Sequence, residues 1–549
     1  MSNFLKKLRN TPYVFLFAIA LLAIGYRFYS ISTLPVSLYW DEVSIGYNAY
    51  SIATTGKDEF GVTMPLLFKA YNDYKLPTYI YLSVIPVKLF GLNEFSVRFT
   101  SAFFGVLTVV LIFFLTRELL PKMHFAGWTD KKSMVPLFAS LFLAISPWHV
   151  QFSRAAFEAN VGLFFVVLGT YLFFRSFRKR YLLPLSMLSY VVGSYTYRSV
   201  FVFVFIFFIG LSIIWWKKMF ANKKYFLVAV MIGIVTIAPL LLGLSGKGAT
   251  RFQQTSIQVE ADRQSLESFT EGKPVNKKLM LLKVFVEGYI SEISPQFLFL
   301  NGDSNGRHNI KGMGLLYLWD LPFLLIGIYI LIKKVPRRIG LTLLIWFLAF
   351  PIPAALSIPT PHALRSLNAL PLPQIITSIG MMAGLVYFKK YKTIYILILA
   401  IVIGFFVYGY INSYSISHLK TYAADWGDGY KQLASYIKKD YNQYDSFVIS
   451  GHYWQPYAYM LFYTQYDPKK YQAMGSSVHF DKYFFGGTGW DLDVGRSELN
   501  SADLKSVSKG NTLVVLSPEE YKSQQQNLTK KDTIYDHNGK LVFIISTLK

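Results

Sequence analysis

The chain has 549 residues, 53% hydrophobic, 17% aromatic and 16% charged, with no cysteine and a formal net charge of +24, and its mean hydropathy is +0.35. Soluble domains carry roughly 25% charged residues, so this composition excludes a water-soluble fold and points to a polytopic membrane protein. The missing cysteines exclude a disulfide framework, a thiolate nucleophile and a cysteine metal site.

The positive charge records topology and not a nucleic-acid partner. Six short clusters hold 22 bases against two acids, Glu118 and Asp130. They are Lys6, Lys7, Arg9; Arg117, Lys122, Lys131, Lys132; Arg175, Arg178, Lys179, Arg180; Lys217, Lys218, Lys223, Lys224; Lys333, Lys334, Arg337, Arg338; and Lys389, Lys390, Lys392. Short loops this basic belong on the cytoplasmic side of the cytoplasmic membrane.

In chain order, FLKKLRN precedes an apolar run from Pro12 that lacks a small-residue cleavage site, which reads as a retained signal-anchor. The loop 32–95 follows. It carries Asp41 and Glu42 in YWDEVSIGYNAY, Asp58 and Glu59 in TGKDEFG, and Asp73 in YNDYKLP, and Arg98 follows just after it in GLNEFSVRF. Charges beside a bilayer are costly unless they meet water, a partner or a substrate, so this loop is the first candidate for chemistry. Asp58 and Glu59, flanked by glycines, read as a solvated turn. For Asp41 the competing structural reading is a helix N-cap. For Asp73 it is an ion pair with Lys75 or an arginine, and for Arg98 it is snorkelling at a helix end.

Apolar runs near the ~20 residues needed to cross a bilayer then recur. Expected spans cover 12–31, 96–116, 134–149, 160–175, 181–198, 199–216, 225–244, 314–332, 339–357, 370–388 and 393–412. Eleven crossings keep every basic cluster inside, with the N-terminus inside and the C-terminus outside. The run Thr78–Leu92 then must not cross. Pro86 and Lys88 make it a juxtamembrane or re-entrant helix.

This topology puts further polar residues on outer loops. SPWHVQFSRAAFEAN holds His149, Arg154 and Glu158, and SYTYRS holds Arg198. A long loop, about 245–311, ends in FLNGDSNGRHN with Asp303, Arg307 and His308, and IPTPHALRSLNALP supplies His362 and Arg365. Arg154 and Arg365 are candidate phosphate ligands, as arginine forks match phosphate. His308 and His362 are candidate ligands for a divalent metal ion, although their spacing matches no ligand motif. From about residue 413 the pattern changes to strands at SFVIS, NTLVVLS and KLVFIISTL, with helices between them. This predicts a small extracytoplasmic α/β domain over 413–549, beside a membrane domain over 1–412. FGGTGW reads as a turn and not as a phosphate loop.

Asp-Glu after the first span, an acid shortly before a proline that opens an apolar run, and the arginine of GLNEFSVRF together resemble glycosyltransferase family 39. That family includes protein O-mannosyltransferases and aminoarabinose–lipid A transferases. The resemblance implies the GT-C fold and a sugar transfer from a polyprenyl-phosphate donor, with inversion, to a protein, lipid or polysaccharide hydroxyl outside the membrane. A hexose such as mannose is the sugar it suggests. It assigns Asp41 and Glu42 to the acidic pair, Asp73 to the second acid and Arg98 to the lipid phosphate. Lys75-Leu76-Pro77 stands where the family often has Pro-Pro. The chemistry agrees: a carboxylate takes the acceptor's proton while cations hold the phosphate leaving group. A transporter or flippase of lipid-linked sugars is the alternative. Transporters place ionisable groups near mid-membrane, whereas these acids lie in loops.

Overall fold

The computed structural model describes residues 12–71, 73–120, 134–221, 223–245, 254–271, 276–475, 479–486 and 498–549. The basic residues of FLKKLRN and of 121–133, and residues 487–490 of FGGTGW, lie outside the described residues. The chain forms two compact units. One comprises Met1–Tyr29 and Ser101–Tyr414, and the other Ser30–Thr100 and Ser415–Lys549.

The first unit is helical, and each expected span overlaps helical structure. Among the described residues, seven helices are long and apolar enough to cross a membrane: Glu94–Leu119, Glu158–Ser176, Arg198–Phe220, Lys223–Ser245, Arg337–Ala355, Leu367–Tyr387 and Lys389–Ile416. An eighth candidate is broken. The expected span 134–149 is two helices, Val135–Ile145 and Pro147–Arg154, bent by 54°. The break has a local cause: Pro147 offers no N–H to continue the first helix, and the Ser146 hydroxyl accepts from His149 N–H at 3.4 Å to start the second. Three expected spans fall on shorter helices, Pro12–Phe28, Leu182–Ser194 and Asp320–Lys334. The long loop 245–311 is not bare loop. It folds helices Ile257–Thr270 and Lys277–Glu292, opened by the caps Ser256 and Asn276, around Ile257, Ala261 and Val284.

The second unit joins the first loop to the tail, Ser30–Thr100 with Ser415–Lys549. Within it, Phe68–Ala70 (β1) and Asp73–Lys75 (β2) form an antiparallel hairpin. Ser446–Ile449 (β3), Tyr483–Phe485 (β4), Thr512–Leu516 (β5), Leu528–Tyr535 (β6) and Leu541–Leu548 (β7) form one sheet in the order β4-β3-β5-β7-β6. The pairs β3/β4 and β3/β5 are parallel; β5/β7 and β6/β7 are antiparallel. The runs SFVI and TLVVL are buried along their whole length, as central strands covered on both faces must be. At the edge, β6 exposes Lys530, Lys531 and Asp532, charges that discourage pairing with another chain.

The loop helix Trp40–Thr55 packs against the tail helix Pro456–Thr464. The approach is so close that a Cβ added to Gly46 would meet Phe462 at 2.5 Å and Val97 at 2.6 Å. The expected non-crossing run is the 14-residue helix Pro77–Phe90, which starts at Pro77 and belongs to this unit.

Candidate active site

Helix Trp40–Thr55 begins two residues earlier than an Asp41 cap requires, with Tyr39 as its N-cap. Asp41 and Glu42 therefore lie in the first helical turn, where the helix dipole favours carboxylates. They share a turn and not a role. Glu42 reaches back to the Tyr39 N–H at 3.3 Å and is completely buried.

Arg98 lies against Glu42, also with no exposed side-chain surface. Its Nε donates to Glu42 Oε1 at 3.0 Å and its Nη2 to Oε2 at 3.1 Å. Nη1 donates to the carbonyls of Ile31 at 2.8 Å and Pro35 at 2.9 Å, and Nη2 also to the carbonyl of Ser37. A guanidinium has five N–H donors, and all five have protein acceptors here. Arg98, expected at the lipid phosphate, and Glu42, expected in catalysis, thus meet each other. The two form an internal ion pair that pins the chain between the first apolar helix and the loop helix.

Asp41 is different. Its side chain keeps 27% of its surface exposed, and its Oδ1 accepts from Lys75 Nζ, whose side chain is 10% exposed. Lys75 ends β2, and Asp73 begins it. Residues two apart on a strand share a face, so Asp73 and Lys75 rise on one side of the hairpin. A Lys75 pair was the competing reading for Asp73; Lys75 Nζ here meets Asp41. At the hairpin tip Tyr71 takes φ +59° and donates its hydroxyl to the Trp40 carbonyl at 2.6 Å, tying β1/β2 to the helix start. Trp40 in turn stacks on the half-exposed Trp454, with ring centroids 6.0 Å apart. Lys75, Tyr71 and Trp454 are the residues that sequence reasoning missed. Of these only Lys75, a cation two residues from an expected catalytic acid, left a signal in the sequence.

Asp58 and Glu59 are not a solvated turn. Each is 2% exposed. Asp58 Oδ1 accepts from Phe60 and Val62 N–H at 3.0 and 2.8 Å, which closes the turn on itself. Glu59 is clasped by Asn48, which donates Nδ2–H to Oε1 at 2.9 Å and accepts the Glu59 N–H at 3.1 Å. Burial pushes the Glu59 carboxyl up to about 8, against the opposing Asn48 hydrogen bond.

In the first unit, Arg154 donates to the carbonyls of Tyr26 at 2.6 Å and Tyr29 at 2.8 Å, and lies 5.3 Å over the Tyr414 ring. These are end carbonyls of helix Pro12–Phe28, and a cation there completes the helix C-terminus. Arg365 is only partly buried and donates to the Ile358 carbonyl at 2.9 Å. His308 and His362 do come together, with ring centroids 4.9 Å apart, and Asp303 Oδ2 lies 2.7 Å from His308 Nδ1. Beneath them Glu292 is fully buried, and burial raises its carboxyl to about 7.

Residues 75–242 match the family model described as dolichyl-phosphate-mannose-protein mannosyltransferase. The match begins at Lys75 and so leaves Asp41 and Asp73 outside it. Among curated protein sequences none matches the chain. ArnT from Cupriavidus metallidurans, solved in the apo state and bound to undecaprenyl phosphate, is similar with a TM-score of 0.56 at 12% identity, over 97% of each chain. The archaeal oligosaccharyltransferase AglB from Archaeoglobus fulgidus was solved with an inhibitory peptide and a dolichol-phosphate. It is similar with a TM-score of 0.54 at 14% identity, over 99% of this chain and 74% of that one. At these identities the likeness shows the fold, GT-C.

Proposed function

We propose that this chain, a multi-pass membrane glycosyltransferase by its family match and GT-C fold, moves a hexose such as mannose from a polyprenyl-phosphate donor to an acceptor hydroxyl outside the cytoplasmic membrane. ArnT with undecaprenyl phosphate and AglB with dolichol-phosphate support that class of donor. The basic clusters support the orientation, with the first-loop unit and the tail extracytoplasmic. The observation that carries the reading is the division of labour within one helical turn. Glu42 is sealed against Arg98, while Asp41 keeps an exposed carboxylate beside a lysine.

In this reading Asp41 is the general base that takes the acceptor hydroxyl's proton as the hydroxyl attacks the anomeric carbon. A single displacement of this kind inverts that carbon. Lys75, whose Nζ meets Asp41 Oδ1, is the cation that receives the departing phosphate. Asp73, on the same face of β2, positions Lys75. Trp40 and Trp454 offer an apolar wall for the sugar ring.

Asp41→Asn tests the assignment. It keeps the side chain's size and its place in the first turn while removing its basicity. The purified variant is expected to bind polyprenyl-phosphate hexose normally and to transfer it ~10²–10⁴-fold more slowly, the usual worth of a general base. Near-normal turnover would remove Asp41 from the chemistry.

A further inference from the structure

A second cluster of chemistry-bearing side chains lies in the first unit, where loop Asn301–Asn309 meets the segment 358–366. We infer that Asp303, His308 and His362 form a binding site for a divalent transition-metal ion of the zinc class. Each offers one ligand atom, and the three atoms all lie within 4.8 Å of one another. The inference does not rest on the role of Asp41.

Besides their contacts with one another, these side chains are held by partners outside the cluster. Asp303 Oδ1 accepts from Asn305 N–H at 2.9 Å, closing the turn that carries it. Its Oδ2 accepts from Ala363 N–H at 2.8 Å, so the acid of one loop grips the backbone beside His362 in the other. Glu292 holds that second loop from beneath. It accepts the His362 N–H at 2.8 Å through Oε1 and the Ser366 hydroxyl through Oε2. The His308 ring lies against Phe152 and Phe157, at centroid distances of 5.5 and 5.8 Å, and against His362. Anchored ligands of this kind are what metal sites use to hold their first shell in place.

The donor set also selects the ion. Two imidazoles and a carboxylate suit zinc, and three protein ligands leave one tetrahedral position for water or a substrate oxygen. With zinc–ligand bonds of about 2.0–2.2 Å, ligand atoms around a tetrahedral ion lie about 3.3 Å apart. The widest separation must close by ~1.5 Å, and the 2.7 Å Asp303–His308 contact must open slightly. Side-chain rotations cover both. Metal binding needs the lone pair of the ligating imidazole nitrogen and an ionised carboxylate. His362 Nδ1 accepts from Arg365 N–H at 3.4 Å.

The test uses the full-length protein in detergent, stripped with a chelator and titrated with Zn²⁺ or Co²⁺ alone, without sugar donor. One equivalent of Zn²⁺ is expected to bind and raise the melting temperature, and Co²⁺ to give the intense visible bands of a tetrahedral nitrogen–oxygen site. His362→Gln removes a ligand and keeps the backbone N–H that Glu292 holds. It is expected to weaken Zn²⁺ binding by ~100-fold or more. No Zn²⁺ uptake by the wild-type protein, or equal uptake by His362→Gln, would overturn the site. The Co²⁺ spectrum of the wild-type protein decides the matter if the variant does not fold, because a weak octahedral spectrum or none also overturns it. Metal uptake is read without transfer, so failure here leaves the glycosyltransferase reading untouched.

Discussion

Arg98 separates two roles that ask for the same residue type. A phosphate ligand and an internal ion-pair partner both require an arginine near a helix end, so the GLNEFSVRF motif alone does not distinguish them. The five satisfied N–H groups do. Lysine has three donors and no fork, so Arg98→Lys leaves at least two of its buried acceptors unmet, at ~1–3 kcal/mol each. The variant is expected to melt well below the wild type in detergent, while the folded fraction binds donor with unchanged affinity. A variant that melts like the wild type and loses donor affinity would return Arg98 to the phosphate.

Glu59 makes the second residue-scale prediction. Its folded carboxyl titrates near 8, against an ordinary value of 4.5, with burial as the main cause and the Asp58 charge adding to it. Between those values the folded state binds more protons than the unfolded one. Stability is therefore fully present below about 4.5 and falls as pH rises toward 8, by at most ~1.4 kcal/mol per pH unit. Glu59→Gln keeps the Asn48 clasp with a side chain that never ionises. Melting curves across this window are expected to slope downward in the wild type and to flatten in the variant; identical slopes would show that Glu59 is ionised in the folded protein throughout.

At the scale of elements, legibility followed the length of the signal. Long apolar runs bounded by basic clusters announced their helices, and the short β-branched apolar runs in NTLVVLS and KLVFIISTL announced β5 and β7. What escaped was short or polar. The three residues of β4 carry too little pattern to read, and β6, with charges at its centre, looks like loop until its neighbour β7 pairs with it. The break at Ser146-Pro147 was written in the sequence, because a hydroxyl followed by proline is a helix-start signal. The apolar run on its N-terminal side masked it. The candidate site shows the same division. Asp41 and Asp73 were legible as motif acids, whereas the Lys75–Asp41 contact depends on a three-residue hairpin strand that brings position 75 back to position 41.

On the scale of the whole molecule, the informative feature is that residues 30–100 and 415–549 form one unit although more than 300 residues separate them in sequence. Composition alone made the tail look like an appended domain. Its contacts make it part of the loop's core. Phe462 fills the space that glycine leaves at position 46. Tyr47 donates its hydroxyl to the Tyr466 carbonyl at 3.1 Å, and Lys431 pairs with Glu94 at 2.7 Å. Gln472 donates to the Asp58 carbonyl at 2.8 Å and to the Ser51 hydroxyl at 3.0 Å. Gln465 donates to the Leu92 carbonyl at 3.1 Å. A chain stopped after Tyr414 loses all of these at once, and the apolar face of helix Trp40–Thr55 meets water. The truncated protein is expected to insert in the membrane and yet to lose transfer entirely, with limited proteolysis cutting the exposed turn around Gly56–Gly61 that the full chain protects. Asp41→Asn in the full chain, by contrast, should lose transfer with that turn still protected. If the truncated chain instead keeps both transfer and protection, the tail is an appended module, and the geometry around Asp41 is held by the first loop alone.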